Sequence, residues 1–127
     1  MKRIILFLVL SLFITGCSIF NEKKSPNVKK ISVKEVKNIV DNSNRYLDVL
    51  IVDVRSVEEF ESGHIQGAIN VPLNDISENE MFLNKKIILY CQSGRRSGEA
   101  AILLEKLGYK NILDMGGIQD WPYELVK

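Results

Sequence analysis

The stretch Lys86-Ile87-Ile88-Leu89-Tyr90-Cys91-Gln92-Ser93-Gly94-Arg95-Arg96-Ser97 decides the fold. The apolar run after Lys86 predicts a strand that is buried on both faces, as in a parallel sheet. Residues 97–107 predict a helix, which Gly108 ends. Functional groups of open parallel sheets gather at the carboxyl ends of the strands, and Cys91 follows this strand directly. The stretch therefore predicts a site around Cys91.

Strand and helix signals alternate along the rest of the chain. Runs of apolar and β-branched residues predict further strands at 47–54, 68–71 and 111–114. Three serine and glutamate pairs have capping-box spacing and predict helix starts: Ser32 with Glu35, Ser56 with Glu59, and Ser77 with Glu80. Strands that alternate with helices indicate an α/β domain with a mostly parallel sheet. A length of 127 residues favours one domain.

The segment from Cys91 to the helix has the composition of an anion cradle. If it curls around the sulfur, its amides point inward, and the helix adds unpaired donors and its positive dipole end. Arg95 and Arg96 add two permanent charges, which should favour a thiolate or a persulfide. Gly94 gives the backbone freedom that such a loop requires. The candidate binding residues are Gln92, Ser93, Gly94, Arg95, Arg96 and Ser97.

The amino terminus has the organisation of a secretory signal. Lys2 and Arg3 precede an apolar run at 4–14 that is interrupted only by Ser11, and small residues follow it. Ile14-Thr15-Gly16-Cys17 resembles the lipobox of bacterial lipoproteins. The resemblance implies cleavage before Cys17, acylation of Cys17, and a domain that is tethered to the cell membrane and faces outward. The alternative is a transmembrane anchor, but residues 4–20 give 17 uncharged positions where about 20 are needed.

We therefore divide the chain into a lipoprotein signal peptide (1–16), a lipidated tether or linker (17–30) and a folded domain (31–127). Removal of the signal leaves 17 − 2 = 15 basic and 16 acidic residues, so no nucleic-acid partner is indicated. The lysines at 23, 24, 29 and 30 lie among polar residues, which favours a solvated linker. Their alternative role is to hold the tether near anionic headgroups.

With Cys17 acylated, Cys91 is the remaining cysteine, so an intramolecular disulfide is excluded. Such a thiol is either a small buried apolar group or a reactive one, and the neighbouring loop favours reactivity. A single histidine and one further cysteine cannot form a closed metal site. We expect neither a metal nor a cofactor.

The sequence from about residue 31 onward resembles a single-domain rhodanese, a thiosulfate or persulfide sulfurtransferase. Four motifs carry the resemblance: Asp53-Val54-Arg55, residues 59–72, the loop at 91–97, and residues 115–122. The resemblance implies a five-stranded parallel sheet flanked by helices on both faces, with Cys91 as the nucleophile that carries sulfur. It also implies a small sulfur donor, such as thiosulfate or a persulfide, and a thiophilic acceptor.

Two other functions share this fold class. Phosphatases of related fold place five residues between a cysteine and an arginine, whereas four separate Cys91 from Arg96. The shorter loop forms a smaller ring of amides around the cysteine, which suits a sulfane sulfur better than a tetrahedral phosphate. Phosphatase activity is therefore not expected. A catalytically silent or sulfur-carrier module at the membrane surface is the alternative function.

Other conspicuous residues have structural interpretations. His64 could pair with the cysteine, but its place after Gly63 favours a packing or hydrogen-bonding role. The resemblance suggests that Asp53 and Arg55 form an ion pair that supports the loop. Further candidates for structural roles are the core or rim anchors Phe60 and Trp121 and a backbone turn at Gly116 and Gly117.

Overall fold

The structure of the protein, a computed structural model, describes residues 27–127. Its strands are β1 (Val28–Lys30), β2 (Val49–Asp53), β3 (Ile69–Asn70), β4 (Lys86–Cys91) and β5 (Ile112–Gly117). Its α-helices are α1 (Val33–Asp41), α2 (Val57–Ser62) and α3 (Arg95–Lys106). The predicted signal peptide, Cys17 and most of the predicted linker lie outside the described residues. Between residues 27 and 127, no helix is long and apolar enough to cross a membrane.

The strands form one sheet in the order β1-β5-β4-β2-β3, and every pair of neighbouring strands is parallel. The α/β class and the five-stranded sheet are confirmed, and the sheet is entirely rather than mostly parallel. All strands therefore end at the same edge of the sheet, and the central strand β4 brings Cys91 to that edge.

Apolar residues cover both faces of the sheet. On one face, Ala100 and Leu104 of α3 pack in a buried cluster with Leu89. On the other face, Val36 of α1 packs with Ile88. Successive side chains of β4 point to opposite faces of the sheet. Burial of one large apolar side chain contributes about 1.5–3 kcal/mol, so β4 stabilises the packing of a helix on each face. The predicted helices on both faces are confirmed.

Two of the three predicted capping boxes are present. Ser32 caps α1 and exchanges hydrogen bonds with Glu35, and Ser56 does the same with Glu59 at α2. The backbone and hydroxyl hydrogen bonds of Ser32 also lower the pKa of Glu35. These helix starts could be predicted because the cap and its partner are three residues apart.

The helix that we predicted from Ser77 and Glu80 is wrong. A short 3₁₀ turn (Glu80–Phe82) occupies this place, and its cap is Asn79, whose Oδ1 accepts a hydrogen bond from the amide of Met81 at 2.9 Å. Since β4 begins at Lys86, too few residues remain for an α-helix with an apolar face.

The folded domain begins earlier than the boundary that we predicted. Val28–Lys30, which we assigned to the linker at 17–30, forms β1 and pairs in parallel with β5. The Lys30 ammonium also lies 2.9 Å from Oδ2 of the buried Asp114. This strand is polar and short, and its stabilising partner is 84 residues away in the sequence.

The last strand is longer than predicted, because Gly116 and Gly117 continue it instead of forming a separate turn. The pairing with β4 shifts by one residue, so that Leu89 lies opposite Asp114 and Tyr90 lies opposite Gly116. Gly116 has a φ of 96°, and its amide donates to Asp114 Oδ1 at 2.9 Å. This is a β-bulge, and it brings Gly117 opposite Cys91.

Candidate active site

Cys91 is the last residue of β4, and its side chain is directed into the loop that leads to α3. It is the only free cysteine among residues 27–127, and it is 1% exposed. The Gly94 amide donates a hydrogen bond to Cys91 Sγ at 3.0 Å. The chain can turn back to this position because Gly94 has a φ of 103°, which disfavours residues with a Cβ.

Ser97 extends the contacts of the sulfur. The Cys91 thiol lies 3.7 Å from Ser97 Oγ, and the Ser97 hydroxyl donates to the Gly94 carbonyl at 3.0 Å. Ser97 is fully buried in the first turn of α3. The predicted loop thus brings Cys91, Gly94 and Ser97 together, with one amide donating to Sγ.

The amino terminus of α3 differs from those of the other two helices. Ser32 and Ser56 cap α1 and α2, but α3 begins two residues before the predicted start, and Gly94 at its cap has no side chain. Without a side-chain cap, the first-turn amides of α3 remain available to an anion. The positive end of the helix dipole adds to this preference.

Arg96 lies beside the site but does not contact the sulfur. Its Nη1 and Nη2 donate to Oε1 and Oε2 of Glu59 at 2.7 and 3.0 Å. The hydrogen bond from Arg96 is the largest cause that lowers the pKa of Glu59 to about 2. The same bond raises the pKa of Arg96, against the effect of burial, and the charges of Glu59 and Cys91 add to the increase.

The two arginines that we expected to add positive charge to the loop each donate to a carboxylate in the structure. Arg96 is neutralised by Glu59, and the largely exposed Arg95 donates to Glu99 at 3.0 Å on the surface of α3. Gln92 and Ser93 are exposed on the outside of the loop. The local anion preference consequently rests more on amides and the helix dipole than on guanidinium groups.

The end of β5 packs against the loop that follows Cys91, and sequence reasoning missed this role of Gly117. A Cβ on Gly117 would lie 2.5 Å from the Gln92 carbonyl oxygen and 3.0 Å from Ser93 Cα. The Gln92 carbonyl also accepts a hydrogen bond from the Gln119 amide at 3.3 Å. The glycine pair was the available signal, but only the bulge in β5 shows which backbone Gly117 approaches.

The predicted ion pair between Asp53 and Arg55 is present and buried. Arg55 Nη2 lies 2.7 Å from Asp53 Oδ2 and donates to the Gly63 carbonyl at 2.7 Å. Burial lowers the pKa of Arg55, but the hydrogen bond and charge of Asp53 outweigh it, so the pKa is raised overall. The pair therefore joins the end of β2 to the end of α2, which carries Glu59.

His64, Phe60 and Trp121 have structural contacts. The His64 ring stacks on Phe60 with centroids 3.7 Å apart, and Nδ1 lies 2.9 Å from the Phe60 carbonyl oxygen. Its backbone forms an isolated bridge with Val126. Trp121 is 8% exposed in the core cluster on the α1 face. These contacts agree with the packing role that we favoured for His64.

Cys91 thus lies at the carboxyl edge of a parallel sheet and faces an uncapped helix, which is where open parallel sheets bind their ligands. Residues 32–123 match the model of a family described as the rhodanese-like domain. The chain belongs to this family.

Several relatives have names that refer to sulfur transfer or sulfur carriage. The chain is 36% identical over 80 residues to a thiosulfate sulfurtransferase of Escherichia coli, covering 60% of this chain and 77% of the relative. It is 33% identical over 115 residues to a thiosulfate:glutathione sulfurtransferase of Saccharomyces cerevisiae, covering 78% and 81%. A putative sulfur carrier protein of Bacillus subtilis is 36% identical over 104 residues, covering 80% of this chain but only 55% of the relative. These relatives support a sulfurtransferase kind of function.

Solved structures share the fold of this chain. A Staphylococcus saprophyticus crystal structure superposes with a TM-score of 0.66 at 31% identity and covers 78% of this chain and 99% of that one. A rhodanese with anions from Escherichia coli gives a TM-score of 0.57 at 34% identity, covering 62% and 98%.

Proposed function

We propose that the protein is a thiosulfate or persulfide sulfurtransferase that carries a sulfane sulfur on Cys91. The observation that carries the proposal is the hydrogen bond from the Gly94 amide to the buried Cys91 sulfur, at the uncapped amino terminus of α3. Relatives that use thiosulfate support the choice of donor.

The reaction has two steps. The Cys91 thiolate attacks the outer sulfur of thiosulfate, a new S–S bond forms, and the S–S bond of thiosulfate breaks. Sulfite leaves with the electron pair, so the negative charge of the thiolate passes to the terminal sulfur of the Cys91 persulfide. An acceptor thiolate then attacks this sulfur and releases the Cys91 thiolate, so the kinetics should be ping-pong.

The residues of the loop stabilise the charged states. Amides that are already oriented toward the sulfur stabilise an anion without reorganisation, as in an oxyanion hole. Gly94 supplies one such donor, and the first-turn amides of α3 supply the others for the outer sulfur. Arg95, exposed beside the loop, attracts the doubly charged donor.

The mass of the purified protein tests this function. Thiosulfate should add one sulfur, about 32 Da, which cyanide removes and which Cys91→Ser does not acquire. An unchanged mass in a folded protein would refute sulfur transfer from thiosulfate, and an unchanged mass with a persulfide donor as well would refute sulfur transfer altogether. We also expect only background hydrolysis of p-nitrophenyl phosphate, and a rate that depends on Cys91 would support a phosphatase instead.

A sulfur-carrier role is the second candidate, because the Bacillus subtilis relative is described as a putative sulfur carrier. A carrier would form the same persulfide but deliver it only to a particular protein. Turnover with thiosulfate and small thiols therefore distinguishes the two: an enzyme turns over repeatedly, whereas a carrier stops after one sulfur per chain.

We also propose that the protein is attached by lipid to the outward face of the cell membrane through Cys17. Support comes from Ile14-Thr15-Gly16-Cys17 after an 11-residue apolar run. The protein should incorporate labelled palmitate and partition into detergent, and Cys17→Ser should lose the label and remain uncleaved. A wild-type protein that stays unlabelled in the membrane would favour a transmembrane anchor. An unlabelled soluble protein would exclude both anchors.

A further inference from the structure

The end of the sheet opposite Cys91 carries a concentration of positive charge. Lys29, Lys86 and Lys110 line a depression of about 380 Å³ together with Asn27 and Asn111. The other two lining residues are aliphatic, so no carboxylate lines the depression. We call this surface the basic pole.

The lysines of the basic pole are free to bind an external anion. All three are exposed, and none forms an ion pair within the part of the chain that the structure describes. Asp48 is an exposed acid at this end of the sheet, and its carbonyl accepts a hydrogen bond from the Lys86 amide. Glu35 borders a separate depression that Lys86 also lines. Since Asp48 does not line the depression, the local charge there is positive although the chain without residues 1–16 is slightly acidic.

The basic pole is also the place where the folded domain joins the preceding chain. Asn27 lines the depression and directly precedes β1. Two further lysines, Lys23 and Lys24, lie a few residues before it in the sequence. A lipid attached at Cys17 would therefore hold a bilayer within reach of this surface.

We propose that the basic pole is a docking surface for anionic phospholipid headgroups, an inference that rests on the proposed lipid anchor. Lysine clusters beside a membrane attachment point are attracted to anionic headgroups. Lys86 and Cys91 are at opposite ends of β4, about 17 Å apart at the usual rise per residue. Docking through the basic pole directs the Cys91 loop away from the bilayer, where it meets water-soluble donors and acceptors.

The test is a lysine footprint of the full-length lipidated protein. It is bound either to phosphatidylcholine vesicles or to vesicles with about one-third phosphatidylglycerol, and acetylation of each lysine is followed by mass spectrometry. We expect Lys29, Lys86 and Lys110 to react at least about threefold more slowly on the anionic vesicles, and about 1 M salt should abolish this protection. Lys37 and Lys127, which do not line the basic pole, should react equally on both.

Paired variants separate docking from a general effect of charge. Lys86→Gln with Lys110→Gln should abolish the protection of Lys29, whereas Lys37→Gln with Lys127→Gln removes the same charge and should preserve it. Equal footprints of the wild-type protein on both vesicles would overturn the proposal. Protection by RNA in solution, without protection by vesicles, would assign the surface to nucleic acid instead. Flotation of the same samples shows separately whether the lipid anchor itself is present.

Discussion

Arg96 and Glu59 form a two-pronged ion pair, with N–O distances of 2.7 and 3.0 Å, between the first turn of α3 and the first turn of α2. Glu59 at the same time accepts hydrogen bonds from the amide and hydroxyl of Ser56. One carboxylate thus completes the cap of α2 and fixes the arginine beside the Cys91 loop. The spacing from Ser56 predicts the cap, whereas only the three-dimensional structure shows the contact with Arg96.

Replacement of Glu59 should change the dependence of stability on pH. Because the pKa of Glu59 falls from 4.5 to about 2 on folding, its stabilising effect is present above pH 4.5 and declines as the pH falls toward 2. Glu59→Gln should lower the free energy of unfolding by about 1 kcal/mol near neutral pH, and the difference should shrink at about pH 3. Urea unfolding across this range measures it.

Glu61→Gln is the matched control, because Glu61 lies exposed on the same helix and forms no ion pair within residues 27–127. A Glu59→Gln deficit that is equally large at both pH values would contradict the ion-pair explanation.

The two arginines of the loop should respond differently to truncation. Arg95 has 76% of its side chain exposed, so Arg95→Ala should raise the KM for thiosulfate about two- to fivefold and leave kcat unchanged. Arg96→Ala leaves Glu59 unpaired beside the loop, so this variant should have a lower kcat in addition to a higher KM. Steady-state kinetics of both variants provide the measurement. Indistinguishable effects on kcat and KM would show that the two residues share one role.

The sequence predicted those features that depend on neighbours along the chain. The capping boxes of α1 and α2 and the apolar run of β4 lie within a few residues, so local rules suffice. The same rule failed at Ser77, because Asn79 caps the next turn instead. Spacing alone does not decide between two competing caps.

Features that join distant parts of the chain could not be predicted. Lys29 and Lys30 have the composition of a linker, and only pairing with β5 makes them a strand. Arg96 and Glu59 are 37 residues apart, so their contact depends on how α2 and α3 meet. For this reason the sequence did not predict that Glu59 pairs with Arg96.

The buried pair of Asp53 and Arg55 should be strongly coupled in stability. Asp53→Asn leaves the Arg55 guanidinium buried without its anion, which should cost about 3 kcal/mol or more. In a double-mutant cycle, Asp53→Asn combined with Arg55→Met should lose about 1–3 kcal/mol less than the sum of the single changes. Urea unfolding of the four proteins tests this. Additive losses would indicate that the two side chains stabilise the fold independently.

Gly117 should be required for sulfur transfer without touching sulfur. An alanine Cβ there would lie 2.5 Å from the backbone oxygen of Gln92, and because backbone cannot rotate away, the loop that holds Cys91 must shift. Since small displacements at a reactive group are costly, Gly117→Ala should reduce kcat/KM for thiosulfate about 10²-fold. Gly98→Ala is the control, because its Cβ meets only Asp114 Oδ2 at 3.9 Å and α3 accepts alanine well. Gly98→Ala should retain activity and gain stability. Full activity of Gly117→Ala in a folded protein would show that the close approach of Gly117 to the Gln92 carbonyl does not set the position of the loop.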